Sequence, residues 1–292
     1  VGRWRSCSSG GWWEEKVEGR ITRRAFLGLL AAAGLAPLAE RLRRTLPAGL
    51  SSASAGQLRE TSPGGGDSAH RWAMVIDQGA CIGCNYCTYA CLAVNDVRPE
   101  VPWNEVHVQS ELTGGKIYLP RPCMHCENPP CIAVCPVQAT YRRPDGLVVM
   151  DYDRCIGCRY CMLACPYEAR HFNWEAWSGE NPFIPNFGLA EVPRRPRGVV
   201  EKCTFCLQRL ERGLANGLVP GIDREATPAC VVECPVEARF FGDLNDPQSK
   251  VSRLLAERPH FRLREDLGTS PRVYYLTALA AIPPTTPPQR RP

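Results

Sequence analysis

Apolar positions in this chain fall into short runs separated by polar and turn-forming residues. One run covers residues 25–39 but is broken by Gly28, Gly34 and Pro37. It is too short and too interrupted to span a bilayer. A second run, 273–282, is shorter still and stops at Pro283-Pro284. Between them the pattern predicts two hairpins. Apolar runs at 106–109 and 116–119 flank Thr113-Gly114-Gly115, and runs at 139–141 and 147–150 flank Arg143-Pro144-Asp145-Gly146. A threefold internal repeat adds more elements. Cys165-Pro-Tyr-Glu-Ala-Arg-His-Phe parallels Cys234-Pro-Val-Glu-Ala-Arg-Phe-Phe, and Cys135-Pro-Val-Gln-Ala-Thr-Tyr is a looser copy. Each copy reads as a short helical turn handing on to a β-like run. The expected class is α+β and loop-rich.

Composition narrows the function. The chain has 292 residues, 44% of them hydrophobic, which excludes a polytopic membrane protein and a wholly disordered chain. Net charge is +5, but residues 1–55 hold 9 Lys and Arg against 4 Asp and Glu, leaving 26 of each beyond. A neutral body argues against binding a phosphate backbone. The basic excess surrounds Arg23-Arg24, which precede the 25–39 run, and Ala53-Ser54-Ala55 follows as an A-x-A-like cleavage site. This order resembles a twin-arginine export signal. The alternative is a basic amphipathic surface helix. The chain starts at Val1, so residues 1–20 are read as an over-extended reading frame or a non-ATG start. The expected layout is a signal region over 1–55, a flexible linker over 56–69, a cysteine-bearing body over 70–245, an extension over 246–282 that packs on a partner or the core, and a disordered tail over 283–292. The expected location is the periplasm or the outer face of the cytoplasmic membrane.

Of 17 cysteines, Cys7 lies upstream of the signal. The other sixteen form four sets: Cys81, Cys84, Cys87, Cys91; Cys123, Cys126, Cys131, Cys135; Cys155, Cys158, Cys161, Cys165; and Cys203, Cys206, Cys230, Cys234. Sets one and three have the C-x2-C-x2-C-x3-C spacing of bacterial ferredoxins. Set two lengthens one gap by two residues, and set four opens that gap into a long insertion. Three of the sets end in Cys-Pro, while Cys91 is followed by Leu92. Three closely spaced thiolates can curl one loop around an iron–sulfur cube, with backbone N–H groups, often at glycines such as Gly83 and Gly157, aimed at its sulfurs. The fourth points away and completes a neighbouring cluster, as in two-cluster ferredoxins. Zinc prefers separated pairs often mixed with His, and thiols two residues apart bridge poorly as disulfides. Four [4Fe–4S] clusters are expected, with no cysteine replaced.

With these motifs the 70–245 segment resembles the four-cluster electron-transfer subunits of complex iron–sulfur molybdoenzymes, the dimethyl sulfoxide, polysulfide, thiosulfate and tetrathionate reductase type. Similar subunits serve periplasmic hydrogenases and nitrite-reductase systems. The resemblance implies two interleaved bacterial-ferredoxin-like units, one from sets one and four, the other from sets two and three. It also implies crossed ligation. Cluster 1 takes Cys81, Cys84, Cys87 and Cys234, and cluster 2 takes Cys123, Cys126, Cys131 and Cys165. Cluster 3 takes Cys155, Cys158, Cys161 and Cys135, and cluster 4 takes Cys203, Cys206, Cys230 and Cys91. The implied role is a non-catalytic relay of single electrons between a molybdopterin-type catalytic subunit and a separate membrane quinone subunit or cytochrome. Two other classes compete with it: an enzyme binding substrate at an open iron site, which sixteen ligands for four clusters leave no room for, and a structural metal-binding module.

Other residues carry weaker signals. Arg154, Arg159 and Lys202 adjoin the cysteines, where a cation would raise a cluster's potential; surface solubility is the commoner reading. Trp103, Trp174 and Trp177 read as core or interface anchors. Residues 193–197, Pro-Arg-Arg-Pro-Arg, read as a solvated loop. The histidines show no ligand spacing, though His125 falls inside set two.

Overall fold

The computed structural model describes residues 70–110 and 115–277. Residues 1–69, 111–114 and 278–292, among them Arg23, Arg24, Cys7 and the expected linker and tail, lie outside the described residues. The chain opens with β1 (Trp72–Asp77), the loop of set one and α1 (Tyr86–Val94). Next come β2 (Glu105–Ser110) and β3 (Lys116–Arg121), paired antiparallel from Glu105 opposite Arg121 to Ser110 opposite Lys116. Set two leads into α2 (Pro130–Ala133) and the hairpin β4 (Thr140–Arg142) and β5 (Val148–Met150), with Tyr141 opposite Val149. Both hairpins therefore fall where the apolar runs put them, within a residue or two at each strand end.

Set three carries α3 (Tyr160–Leu163) and β6 (His171–Phe172). After a long irregular stretch, β7 (Val200–Glu201) pairs antiparallel with β6. Set four follows with α4 (Leu207–Ala215), α5 (Ala229–Val232) and β8 (Arg239–Asp243), and the described chain ends with α6 (Lys250–Glu257), β9 (His260–Phe261) and β10 (Val273–Leu276).

The largest sheet joins elements from both ends of the described chain in the order β8-β1-β10-β9. β1 pairs antiparallel with β8, Met74 opposite Phe241, and parallel with β10, Met74 opposite Val273. Its sequence WAMVID is buried at every position, as a strand covered on both faces requires. The apolar run at 273 is thus a four-residue central strand. Val251 of α6 packs with Val75 and Leu276.

The main core is a mixture of aromatic and aliphatic side chains and cysteines: Trp72, Met74, Ile76 and Tyr275 share it with Cys87, Cys91, Cys123, Cys126, Cys203 and Cys230. The irregular stretch before β7 is held by specific contacts. Phe183 stacks on Tyr89 of α1 at 4.8 Å, Asn181 donates to Leu92 O at 2.8 Å, and Arg194 pairs with Asp96 at 3.0 Å.

Candidate metal centres

Backbone geometry shapes each cysteine loop. In Cys81-Ile-Gly-Cys84 and Cys155-Ile-Gly-Cys158 the glycines have φ of 71° and 69°. A Cβ on Gly83 would lie 2.2 Å from the Tyr118 ring, and one on Gly157 would lie 2.3 Å from Gly198 O, so no larger residue fits either turn. The Gly83 N–H acts to lower the pKa of the Cys81 thiol, against the larger effect of burial, which raises it. Asn85 and Arg159, both at φ 64°, then start the helices that carry Cys87 and Cys161.

The repeat has one mechanical form. Gln138, Glu168 and Glu237 are left-handed, at φ 53°, 54° and 48°, and their N–H groups reach back to the carbonyls of Cys135, Cys165 and Cys234. That turn swings the following alanine N–H onto the sulfur: Ala139 to Cys135 Sγ at 3.2 Å and Ala238 to Cys234 Sγ at 3.3 Å. Proline fixes the chain's departure from each cysteine.

The cysteines of different sets mix. Cys81, Cys84 and Cys87 line one pocket with Cys234. Cys155, Cys158 and Cys161 line another with Cys135. Cys126 interacts electrostatically with Cys123, Cys131 and Cys165, and Cys91 with Cys203, Cys206 and Cys230. Thus the last cysteine of each set stands with the first three of another. Cys203 also feels Cys123, so the tetrads of Cys91 and Cys123 adjoin. Exposure divides the tetrads. All four cysteines around Cys91 are buried, whereas Cys81, Cys84, Cys155 and Cys158 are half-buried beneath the exposed Ile82 and Ile156.

The donor set fits a cluster. All sixteen are free thiols. Burial, then the Cys123 sulfur, pushes both Cys126 and Cys203 up to about 12. Buried thiols of this kind give up their protons when a metal centre binds. Among the described residues no three His, Cys, Asp or Glu side chains converge on a single-ion site. Nε of Arg239 is buried with no hydrogen-bond partner among the described residues.

Lys202 corrects the expectation of a solubilising surface charge. It is 0% exposed and donates through Nζ to Cys203 O at 2.7 Å. Arg154 and Arg159 are exposed, and Arg159 stacks over Trp174 at 4.6 Å. Trp174 is 60% exposed, whereas Trp103 is buried. The 193–197 loop is also more than solvated: Arg195 is buried against Glu201 at 2.9 Å. His125 is fully buried and sits between tetrads without joining one. Its Nδ1 accepts Val148 N–H at 3.1 Å, so Nε2 bears the hydrogen and donates to Cys203 O at 3.1 Å. Burial, then Lys202, holds this imidazole well below the usual histidine range, as a neutral ring must be. Sequence reasoning missed Arg170 and Arg239, both buried beside cysteines. Their signal is nonetheless present: each ends a Cys-Pro-x-Glu-Ala-Arg copy, five residues after the cysteine.

Comparison with known proteins places these loops among ferredoxin-type [4Fe–4S] domains. A 4Fe-4S dicluster domain matches residues 115–180, and a second matches 154–238. A Halobacterium salinarum protein named as a dimethyl sulfoxide reductase iron–sulfur subunit is 46% identical over 221 residues, covering 70% of this chain and 78% of that protein. A selenate reductase subunit of Mesobacillus selenatarsenatis is 44% identical over 223 residues, 71% of this chain and 72% of its own. The menaquinone reductase iron–sulfur cluster-binding subunit of Nitratidesulfovibrio vulgaris is 42% identical over 233 residues, 71% of this chain and 89% of its own. The chain belongs to this family of iron–sulfur electron-transfer subunits. The matches support four [4Fe–4S] clusters as its cofactors. Among the described residues no helix is long and apolar enough to cross a membrane.

Proposed function

We propose that the four tetrads hold four [4Fe–4S] clusters in two interleaved units and that the chain is the electron relay of an exported respiratory oxidoreductase. The observation that carries this reading is the crossing of sets, in which each last cysteine stands with another set's first three. In this reading the ligands are Cys81, Cys84, Cys87 and Cys234; Cys123, Cys126, Cys131 and Cys165; Cys155, Cys158, Cys161 and Cys135; and Cys203, Cys206, Cys230 and Cys91. When bound, each cluster takes up and releases one electron. The protein's part is to hold, insulate and tune. Interactions through Cys87 and Cys230, Cys203 and Cys123, and Cys131 and Cys161 support a single file running from the Cys81 tetrad to the Cys155 tetrad. The half-buried end tetrads suit exchange with other subunits, while burial keeps water from the middle two.

The partners in this reading are a molybdopterin-type catalytic subunit at one end and a separate membrane quinone-reactive subunit or cytochrome at the other. Relatives named for dimethyl sulfoxide, tetrathionate and polysulfide reductases favour a sulfur-compound reductase. Anaerobic respiration outside the cytoplasmic membrane fits the twin-arginine pattern. Iron and acid-labile sulfide assays on the anaerobically purified chain should each give about sixteen per chain. About four zincs without sulfide would overturn the reading. Arg23→Lys with Arg24→Lys should retain the loaded protein in the cytoplasm; normal export of that variant would remove the location from the proposal.

A further inference from the structure

Arg170 and Arg239 are each 3% exposed, and each bonds a methionine sulfur and a neutral polar side chain beside a cysteine. Arg170 donates through Nη2 to Cys131 Sγ at 3.0 Å and Thr140 Oγ1 at 2.7 Å, and through Nη1 to Met150 Sδ at 3.1 Å. Arg239 donates to Met74 Sδ at 3.3 Å and to Asn104 Oδ1 at 2.9 Å, and Asn104 in turn donates through Nδ2 to Cys87 Sγ at 3.4 Å. Among the described residues neither guanidinium pairs with a carboxylate. Burying a cation without one is costly unless another negative group faces it.

The groups that face them are cysteines. Arg170 interacts with Cys131 and Cys161, and Arg239 with Cys230 and Cys87. These are the third cysteines of the four sets. Cys131 and Cys161 belong to two different tetrads of one unit, and Cys87 and Cys230 to the two tetrads of the other. Each arginine therefore lies within electrostatic reach of both tetrads of its own unit. The remaining Cys-Pro copy carries Thr140 at the equivalent position, and Thr140 serves as an acceptor for Arg170. The repeat thus supplies one arginine per unit.

A guanidinium keeps its charge at every pH a protein experiences. Cluster potential responds to net charge and to hydrogen bonds at the sulfurs. We propose that Arg170 and Arg239 are potential-setting residues, each a permanent cation shared by the two clusters of one unit, so that one side chain raises two potentials together. Sharing also offsets the repulsion between neighbouring reduced clusters, which allows both to hold an electron at once. This inference rests on the tetrad assignment proposed above.

The test is an EPR-monitored redox titration of the cluster-loaded full chain carrying Arg170→Gln or Arg239→Gln, after iron and sulfide counts. In Arg170→Gln, both clusters of the Cys123 and Cys155 tetrads should become roughly tenfold harder to reduce at fixed potential, a lowering of about 59 mV for a one-electron couple. The other two clusters should be unchanged, and Arg239→Gln should give the mirror image. Arg170→Lys and Arg239→Lys should show little of the shift, since charge is kept. A shift in one cluster alone, in all four equally, or in none overturns the proposal. If the Gln variants lose their clusters, pulsed EPR on the unsubstituted chain labelled with 15N-arginine decides. Nitrogen coupling in the signals of all four clusters supports the proposal, and its absence from either cluster of a unit overturns it. A low iron count in the unsubstituted chain would instead sink the tetrad assignment.

Discussion

Cys234→Ser is expected to destroy the cluster built on Cys81, Cys84 and Cys87, which lie about 150 residues earlier in the chain. The cluster on its sequence neighbours Cys203, Cys206 and Cys230 should survive. The expectation follows from the pocket that Cys234 lines with Cys81, Cys84 and Cys87, and from the Ala238 N–H that fixes its sulfur there. Iron should fall from about sixteen to about twelve per chain, with one EPR component lost. Loss of the component from the Cys203 loop instead would mean that the units close without crossing.

Glu201→Leu should be the most damaging substitution away from the cysteines. Arg195 and Glu201 form an ion pair whose side chains are 4% and 2% exposed. Every direction of the guanidinium is used: Nε reaches Glu201 at 2.9 Å, Nη1 reaches Pro193 O at 3.0 Å, Nη2 reaches Asp96 O at 2.8 Å, and its face covers Trp103 at 4.7 Å. Glu201 also accepts from Asn173 Nδ2 at 3.2 Å. Removing the carboxylate strands a buried cation, at a cost of about 3–5 kcal/mol. The cost should appear as a lowered urea midpoint of the loaded chain. Combining it with Arg195→Met should recover much of the loss, because no lone charge then remains. An unchanged midpoint in Glu201→Leu would show that the pair does not hold the 193–197 loop.

The cysteine loops and hairpins were legible because their causes are local. Spacing, a glycine before a cysteine and a Pro-Asp-Gly turn act within a few residues. The β8-β1-β10-β9 sheet was not, since the pairings of β1 join residues about 160 to 200 apart and four apolar residues at 273–276 carry no sign of their partner. Lys202, Arg170 and Arg239 were misjudged or missed for another reason. Charged side chains are normally assigned to solvent. That rule fails where the interior contains groups that take on negative charge, as these cysteines do when a cluster binds. The repeat held the correction, because an arginine at the same offset in two copies has the same neighbours in both.

The parallel pairing of β1 with β10 sets where attachments can go. Parallel strands begin at the same end of a sheet, so the chain enters the described body at Arg71 and leaves it at Thr277 from opposite ends of β1, about 20 Å apart over six residues. The exit lies beside Gln78, whose N–H bonds to Leu276 O, only three residues before Cys81. An affinity tag or reporter fused after Thr277 would therefore emerge at the end of the sheet that leads into the first cysteine loop, whereas one fused ahead of His70 would emerge at the opposite end.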